Sequence, residues 1–212
     1  MNRTYEAPAA SSLVSKWFIS RAQSDASRPL DNLKLQKLLY LAQSRYQFEH
    51  HTPLLKERFL AWKHGPVVRT VWAECNEFGD RPIRMDLAVD GPWNDLAPDI
   101  VDVLDGVWEE FGALSGWDLR QLTHRAGPWP EHYVEGANVE IPNQLIAAAW
   151  PVLAADGGGG ADETQALRAM LQRYRALHEE LPARPDSGSR AHLLDELRGA
   201  QDGIDEAGRL HP

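Results

Sequence analysis

Histidine is the residue type in this chain best suited to chemistry at neutral pH, and 212 residues hold eight of them. His50, His51, His64, His124 and His132 fall in the first two thirds of the chain, among many carboxylates. A helix that binds a metal places two histidines four residues apart, or carries His-Glu-x-x-His; neither spacing occurs. Folding can still gather His64 and His124 with an Asp or Glu into a metal or acid–base site, the arrangement of a metal-dependent hydrolase. A histidine hydrogen-bonded within the fold is the ordinary alternative for each.

Other chemistry lacks its motifs. The Gly157-Gly158-Gly159-Gly160 run has no Lys-Ser/Thr after it and no strand before it, so it does not read as a phosphate loop. No Gly-x-Ser-x-Gly elbow is present. Cys75 is the single cysteine, which excludes an intramolecular disulfide and a thiolate zinc cluster and suits the cytoplasm. The residues therefore assign no catalytic group, no metal ligand and no cofactor.

Charge narrows the partners. Net charge is −9, yet residues 1–84 carry 13 basic against 8 acidic side chains, and 85–119 hold nine Asp/Glu with no Lys or Arg. A phosphate-backbone binder concentrates positive charge, so direct nucleic-acid binding is not expected. The acidic stretch reads either as a solvated helix face or as a surface that steers a basic protein. No run approaches 18 uncharged apolar residues, which excludes a membrane helix, and the first ten residues lack the apolar stretch of a secretory signal.

The elements that must position these groups are mostly helical. Ser11 or Ser12 is the expected cap of a helix with Leu13, Val14, Trp17, Phe18 and Ala22 inward. Asp31 caps the clearest helix, 32–50, in which Leu35, Leu38, Leu39, Ala42 and Tyr46 form a core-facing stripe flanked by Lys34, Lys37 and Arg45. A short strand over 58–63 follows. Gly65-Pro66 then reads as a turn that puts Pro66 at the first position of a helix ending at Gly79. Residues 83–89 read as a second short strand. Ile100, Val103, Leu104, Val107, Trp108 and Phe111 stripe a helix beginning at Asp95 or Asp99. Ser115 and Asp118 have capping-box spacing, opening a helix to Arg125. The segment 127–130 is an irregular loop, and 141–150 a last core helix.

The fold expected is thus a compact, mostly α domain with a small β element over 11–152, preceded by a flexible 1–10. A Gly-rich linker over 153–161 and a helical, partly disordered extension over 162–212 follow. All eight tryptophans lie at or before Trp150, and Tyr174 is the one aromatic after it. Trp17, Trp72, Trp108 and Trp150 fall on apolar stripes and read as core. Trp62, Trp93, Trp117 and Trp129 fall at turns, strand ends or caps, where aromatics stay partly exposed and serve interfaces.

Four segments in order resemble one family. They are Leu33-Lys34-Leu35-Gln36-Lys37-Leu38-Leu39-Tyr40-Leu41-Ala42-Gln43; Pro53-Leu54-Leu55; Phe59-Leu60-Ala61-Trp62-Lys63-His64-Gly65-Pro66-Val67-Val68; and the 119–129 run containing Leu122-Thr123-His124 and Gly127-Pro128-Trp129. Together with Asn138-Val139-Glu140-Ile141-Pro142 they resemble the Panacea antitoxin domain, a group that includes SocA-like and prophage-associated proteins. His64 departs from the tyrosine of the family pattern. The resemblance implies a helical, non-enzymatic domain that neutralises a protein toxin encoded by an adjacent gene, often one acting on translation. A SocA-like member can instead deliver the toxin to a ClpX–ClpP type protease, with a protease or chaperone as a further partner. On this reading Lys34, Lys37, Tyr40, Trp62, Lys63, His64, Pro66, His124 and Trp129 are the candidate partner-binding residues. The competing expectation is that these residues specify packing alone.

Overall fold

A computed structural model describes residues 4–158. The extension predicted over 162–212 lies outside the described residues, as do the first three residues and the end of the Gly run. Helices α1 (Ser11–Ser24), α2 (Asn32–His50), α3 (Arg69–Cys75), α4 (Pro98–Phe111), α5 (Gly116–Ala126), α6 (Trp129–His132), α7 (Asn143–Ala148) and α8 (Trp150–Gly158) surround a small sheet of β1 (Phe59–Trp62), β2 (Gly65–Val67) and β3 (Glu140–Ile141). The mostly helical fold with a small β element is the one the sequence predicts.

Helix α2 is the axis. The Asp31 carboxylate accepts from the Lys34 amide at 2.7 Å and starts it; His51, with φ +56°, ends it. It packs on α1, α3, α4, α5, α7 and α8. A helix enclosed in this way has no solvent face over most of its length, and its polar side chains from Asn32 to Ser44 are buried along with the apolar stripe. Each then needs a partner. Gln36 Oε1 accepts from the Val68 amide at 2.8 Å, and Gln43 Oε1 from the Leu55 amide at 2.9 Å. Ser44 donates to the Ile146 carbonyl at 2.6 Å. Lys34 donates to the carbonyls of Gly112 and Pro29 at 2.6 and 3.0 Å. The expected single stripe with lysines at its edge is corrected accordingly: Lys34 is 3% exposed and Lys37 is fully buried.

The sheet has the order β2-β1-β3, antiparallel throughout, with Trp62 opposite Gly65 and Phe59 opposite Ile141. Lys63 and His64 are therefore the two residues of the β1–β2 turn. Pro66 does not open a helix; it lies in β2 opposite Ala61, and as an edge strand β2 tolerates the missing N–H. Helix α3 begins three residues later. Residues 83–89 form no strand: Ile83 donates to the Leu30 carbonyl at 2.8 Å, and the Gln23 side chain binds both backbone groups of Met85.

Elsewhere local signals and structure agree closely. The buried side chains of α4 are the six of the predicted stripe. The Ser115–Asp118 capping box is formed in both directions. Three boundaries move. Helix α1 has no side-chain cap; its Ser11 amide is met by the Glu57 carboxylate at 2.8 Å. The segment 127–130, expected to be an irregular loop, runs at Trp129 into the single turn α6. The last predicted helix is two, α7 and α8, because Pro151 cannot donate into the preceding turn; α8 carries regular structure through Gly158, with Leu153 buried. The N-terminal segment is bound from Tyr5 onward: its amide donates to the Asp95 carbonyl at 2.7 Å, and Ala9 exchanges hydrogen bonds with Leu54 and Lys56. Among the tryptophans, Trp93 is buried, contrary to its position at a turn, while Trp17 and Trp72 are half-buried.

The polar contacts of α2 give a direct test. Gln43→Leu removes the partner of the Leu55 amide and of the Gln47 side chain, which lies 2.7 Å away. It is expected to cost about 1–3 kcal/mol in denaturant unfolding, whereas Leu39→Ala, at a fully buried apolar site, costs about 2–5 kcal/mol.

Candidate functional site

The β1–β2 hairpin folds its tip over the N-terminal half of α2 and against α5. Lys37, one helical turn beyond the capped first turn of α2, reaches the Pro66 carbonyl with its ammonium at 2.9 Å. Gly65 sits where Lys37 and α5 meet. A Cβ at position 65 would lie 2.5 Å from Lys37 Nζ and 3.2 Å from His124 Nε2, and its φ is +101°. Only glycine combines that backbone angle with that approach. Gly127, with an ordinary φ of −93°, allows the close approach of Tyr40, whose hydroxyl would lie 2.9 Å from an added Cβ. Tyr40 is fully buried with its ring edge-on to Phe59, centroids 5.4 Å apart.

An aromatic shelf closes one side. His124 stacks on Trp129 with centroids 3.5 Å apart and planes 10° from parallel, and Trp129 stacks on Tyr133 at 5.1 Å. The Trp129 indole N–H donates to the Trp62 carbonyl at 2.7 Å, and the Trp62 indole donates to Asn138 Oδ1 at 2.8 Å. Trp62 and Trp129, predicted to be partly exposed, are half-buried and locked to each other.

The electrostatics of the site are of one sign. Burial first, and the Arg120 charge second, hold the Lys37 ammonium well below its usual range. Burial, then Arg120, Lys37 and His64, lower His124 to about 4. His64 is lowered by burial, Arg120, Lys63 and Lys37. Among the described residues, the charges acting on the three are positive. Among the described residues, Arg21, Arg28, Arg45 and Arg58 each pair with a carboxylate, and Lys37, Lys63 and Arg120 take part in none of these pairs. Arg120 Nε and His124 Nε2 are buried without a hydrogen-bond partner. The Arg120 guanidinium lies over the Trp117 ring, 4.5 Å from its centroid, and Trp117 is 54% exposed.

Of the nine candidates, Lys37, Trp62, Lys63, His64, Pro66, His124 and Trp129 come together here, with Tyr40 beneath Gly127. Lys34 does not; its ammonium ties the end of α4 to α2 and lies 5.9 Å from the Trp108 ring centroid. Sequence reasoning did not single out Arg120, nor Gly65 and Gly127 beyond their turns, as part of this site, while Trp117, expected to stay partly exposed, does so. Positions 117, 120 and 124 are spaced as one helix face, a signal available in the sequence. His64 and His124 do meet, as a metal-dependent site requires, but their neighbours are cations. Among the described residues no three His, Cys, Asp or Glu converge as metal ligands.

Among the described residues, fold and site make a mostly helical domain with a cationic and aromatic cluster at the hairpin tip and α5. Residues 35–130 match the family described as antitoxin SocA-like, Panacea domain. It is 33% identical over 111 residues to antitoxin SocA of Caulobacter vibrioides, covering 48% of this chain and 58% of that protein. No solved structure matches the chain. No helix among the described residues is long and apolar enough to cross a membrane.

The lowered histidines set a pH dependence. Unfolded, His124 takes a proton near its ordinary 6.5; folded, it does so only near 4. Between these values the unfolded chain binds the proton and the folded one does not, so stability falls as pH drops from 6.5 toward 4. His64 acts in the same direction. His124→Phe, which preserves stacking on Trp129, is expected to flatten that fall when denaturant midpoints are compared across the range.

Proposed function

We propose that this chain is a non-enzymatic antitoxin of a toxin–antitoxin system, holding inactive a cytoplasmic protein toxin encoded by the adjacent gene. Contact is direct, through the face made by the hairpin tip, α5 and α6. The observation that carries the reading is the extent of the family match: residues 35–130 run from α2 into α6. They include Lys37, Tyr40, Trp62, Lys63, His64, Pro66, His124 and Trp129, whereas the separately employed Lys34 falls outside. A translation-targeting activity for the toxin follows from the family resemblance. An aromatic shelf locked by hydrogen bonds is also a surface that loses little freedom on binding.

The test expresses the neighbouring reading frame with and without this protein. Growth arrest by the neighbour alone, rescue on co-expression and a complex that survives purification are expected. A harmless neighbour, or rescue without a complex, overturns direct neutralisation. Rescue that disappears in cells lacking the ClpX–ClpP type protease assigns the chain to toxin delivery instead.

Lys37 offers a sharper variant. A buried ammonium with one acceptor contributes little to folding, and an apolar side chain of similar length replaces it well. Lys37→Met is expected to keep stability within about 1 kcal/mol of the parent, or raise it, while weakening neutralisation in the growth assay. A variant that neutralises as the parent does shows that the Lys37 ammonium beneath the face is not needed for neutralisation.

A further inference from the structure

The Lys63–His64 turn, Arg120 and Trp117 leave a surface whose charge is answered nowhere in the described domain. We propose that this surface accepts an acidic segment of the protein partner, a stretch of Asp/Glu whose carboxylates meet Arg120, Lys63 and His64 above the buried Lys37. The inference rests on the antitoxin reading for the partner's identity and deepens it by naming the chemistry recognised.

Three observations converge. First, the cluster stands against the chain's character: net charge is −9, and Arg21, Arg28, Arg45 and Arg58 are all paired with carboxylates. Lys63 and Arg120 have no such pair, and every charge acting on Lys37, His64 and His124 is positive. Five like-signed or proton-accepting groups held together without a counter-charge cost the free fold stability that an arriving anion returns. Second, the groups are pre-set. The Arg120 guanidinium is held over Trp117, 4.5 Å from its ring centroid, and its planar fork of donors suits a carboxylate. The turn that carries Lys63 and His64 is fixed by Gly65 and by the Lys37–Pro66 hydrogen bond. Third, Trp117 is the large aromatic left most exposed, beside the charge, and Trp with Arg is the pairing found at interface centres.

A nucleic-acid backbone fits less well. Few cations share this surface, and α4 alone presents Asp99, Asp102, Asp105, Glu109 and Glu110, so an extended polyphosphate would be repelled by the rest of the domain. A peptide carboxylate run needs only the local patch.

The test is a titration of the full-length, ¹⁵N-labelled protein with hexaglutamate peptide, with hexaglutamine and a short DNA duplex as comparisons. Hexaglutamate is expected to move the Trp117 indole and the amides of Lys63, His64 and Arg120, and raising salt should weaken it about tenfold. The Lys63→Glu, Arg120→Glu double variant should lose at least about tenfold in affinity; Lys63→Gln, Arg120→Gln serves if the reversal melts early. No movement, equal movement with hexaglutamine, or undiminished binding by the variants overturns the proposal. Tighter binding of the duplex at the same residues assigns the surface to phosphate, and concentration-dependent shifts in the free protein assign it to a second copy; either overturns it too. The growth assay separates the two readings. Rescue by the parent and equally by the variants overturns acidic recognition and leaves the antitoxin standing. Peptide binding with a harmless neighbour overturns the antitoxin and leaves the surface.

Discussion

A helix with no solvent face must satisfy its polar side chains inside the protein, and in this domain that requirement organises everything around α2. Gln36, Gln43, Ser44, Lys34 and Lys37 each reach backbone groups of segments distant in sequence: Val68, Leu55, Ile146, Gly112 and Pro66. An amide or carbonyl left unmet in such an interior costs about 1–3 kcal/mol. These five contacts therefore decide where the surrounding loops lie as much as the apolar packing does. Hydrophobic burial holds the helices near one another; the polar contacts select one arrangement among the many that would bury similar area.

The candidate site grows from the same constraint. Lys37 is held by one carbonyl in the turn-bearing strand, and that contact brings its charge under Gly65 and against His124. The other structural lysine of α2 shows the difference. Lys34 has two carbonyls and the face of Trp108, an environment that accounts for it within the fold. Lys37 has a single acceptor and cationic neighbours, which the fold by itself does not require. Lys37 thus keeps a single acceptor beside positive neighbours in the interior of the domain.

Much of the architecture is legible because its causes are local. Asp31 and Ser115 cap their helices with their own side chains, and α4, half in water, shows its inner face as a regular stripe. What is illegible depends on partners far along the chain. Nothing near Lys34 or Lys37 announces that carbonyls of residues 112 and 66 will enclose them. Pro66 has the local chemistry of a helix start, but pairing with Ala61 draws it into an edge strand. Residues 83–89 alternate as a strand does and find a glutamine side chain in place of a neighbouring strand. At the site, His124 and His64 were visible as residue types; that cations rather than carboxylates surround them follows from the meeting of α2, α5 and the hairpin.

The N-terminal segment has a consequence for how the domain is made. The backbone of Ala9 is completed by Leu54 and Lys56, and that of Tyr5 by Asp95 and Ala97. Ser44 of α2 awaits the carbonyl of Ile146. A chain emerging from the ribosome therefore carries its first residues unclasped until almost a hundred have followed, and its central helix incompletely satisfied until nearly all of the domain is out. A nascent chain halted before α7 therefore leaves Ser44 without the Ile146 carbonyl that completes it in the folded domain.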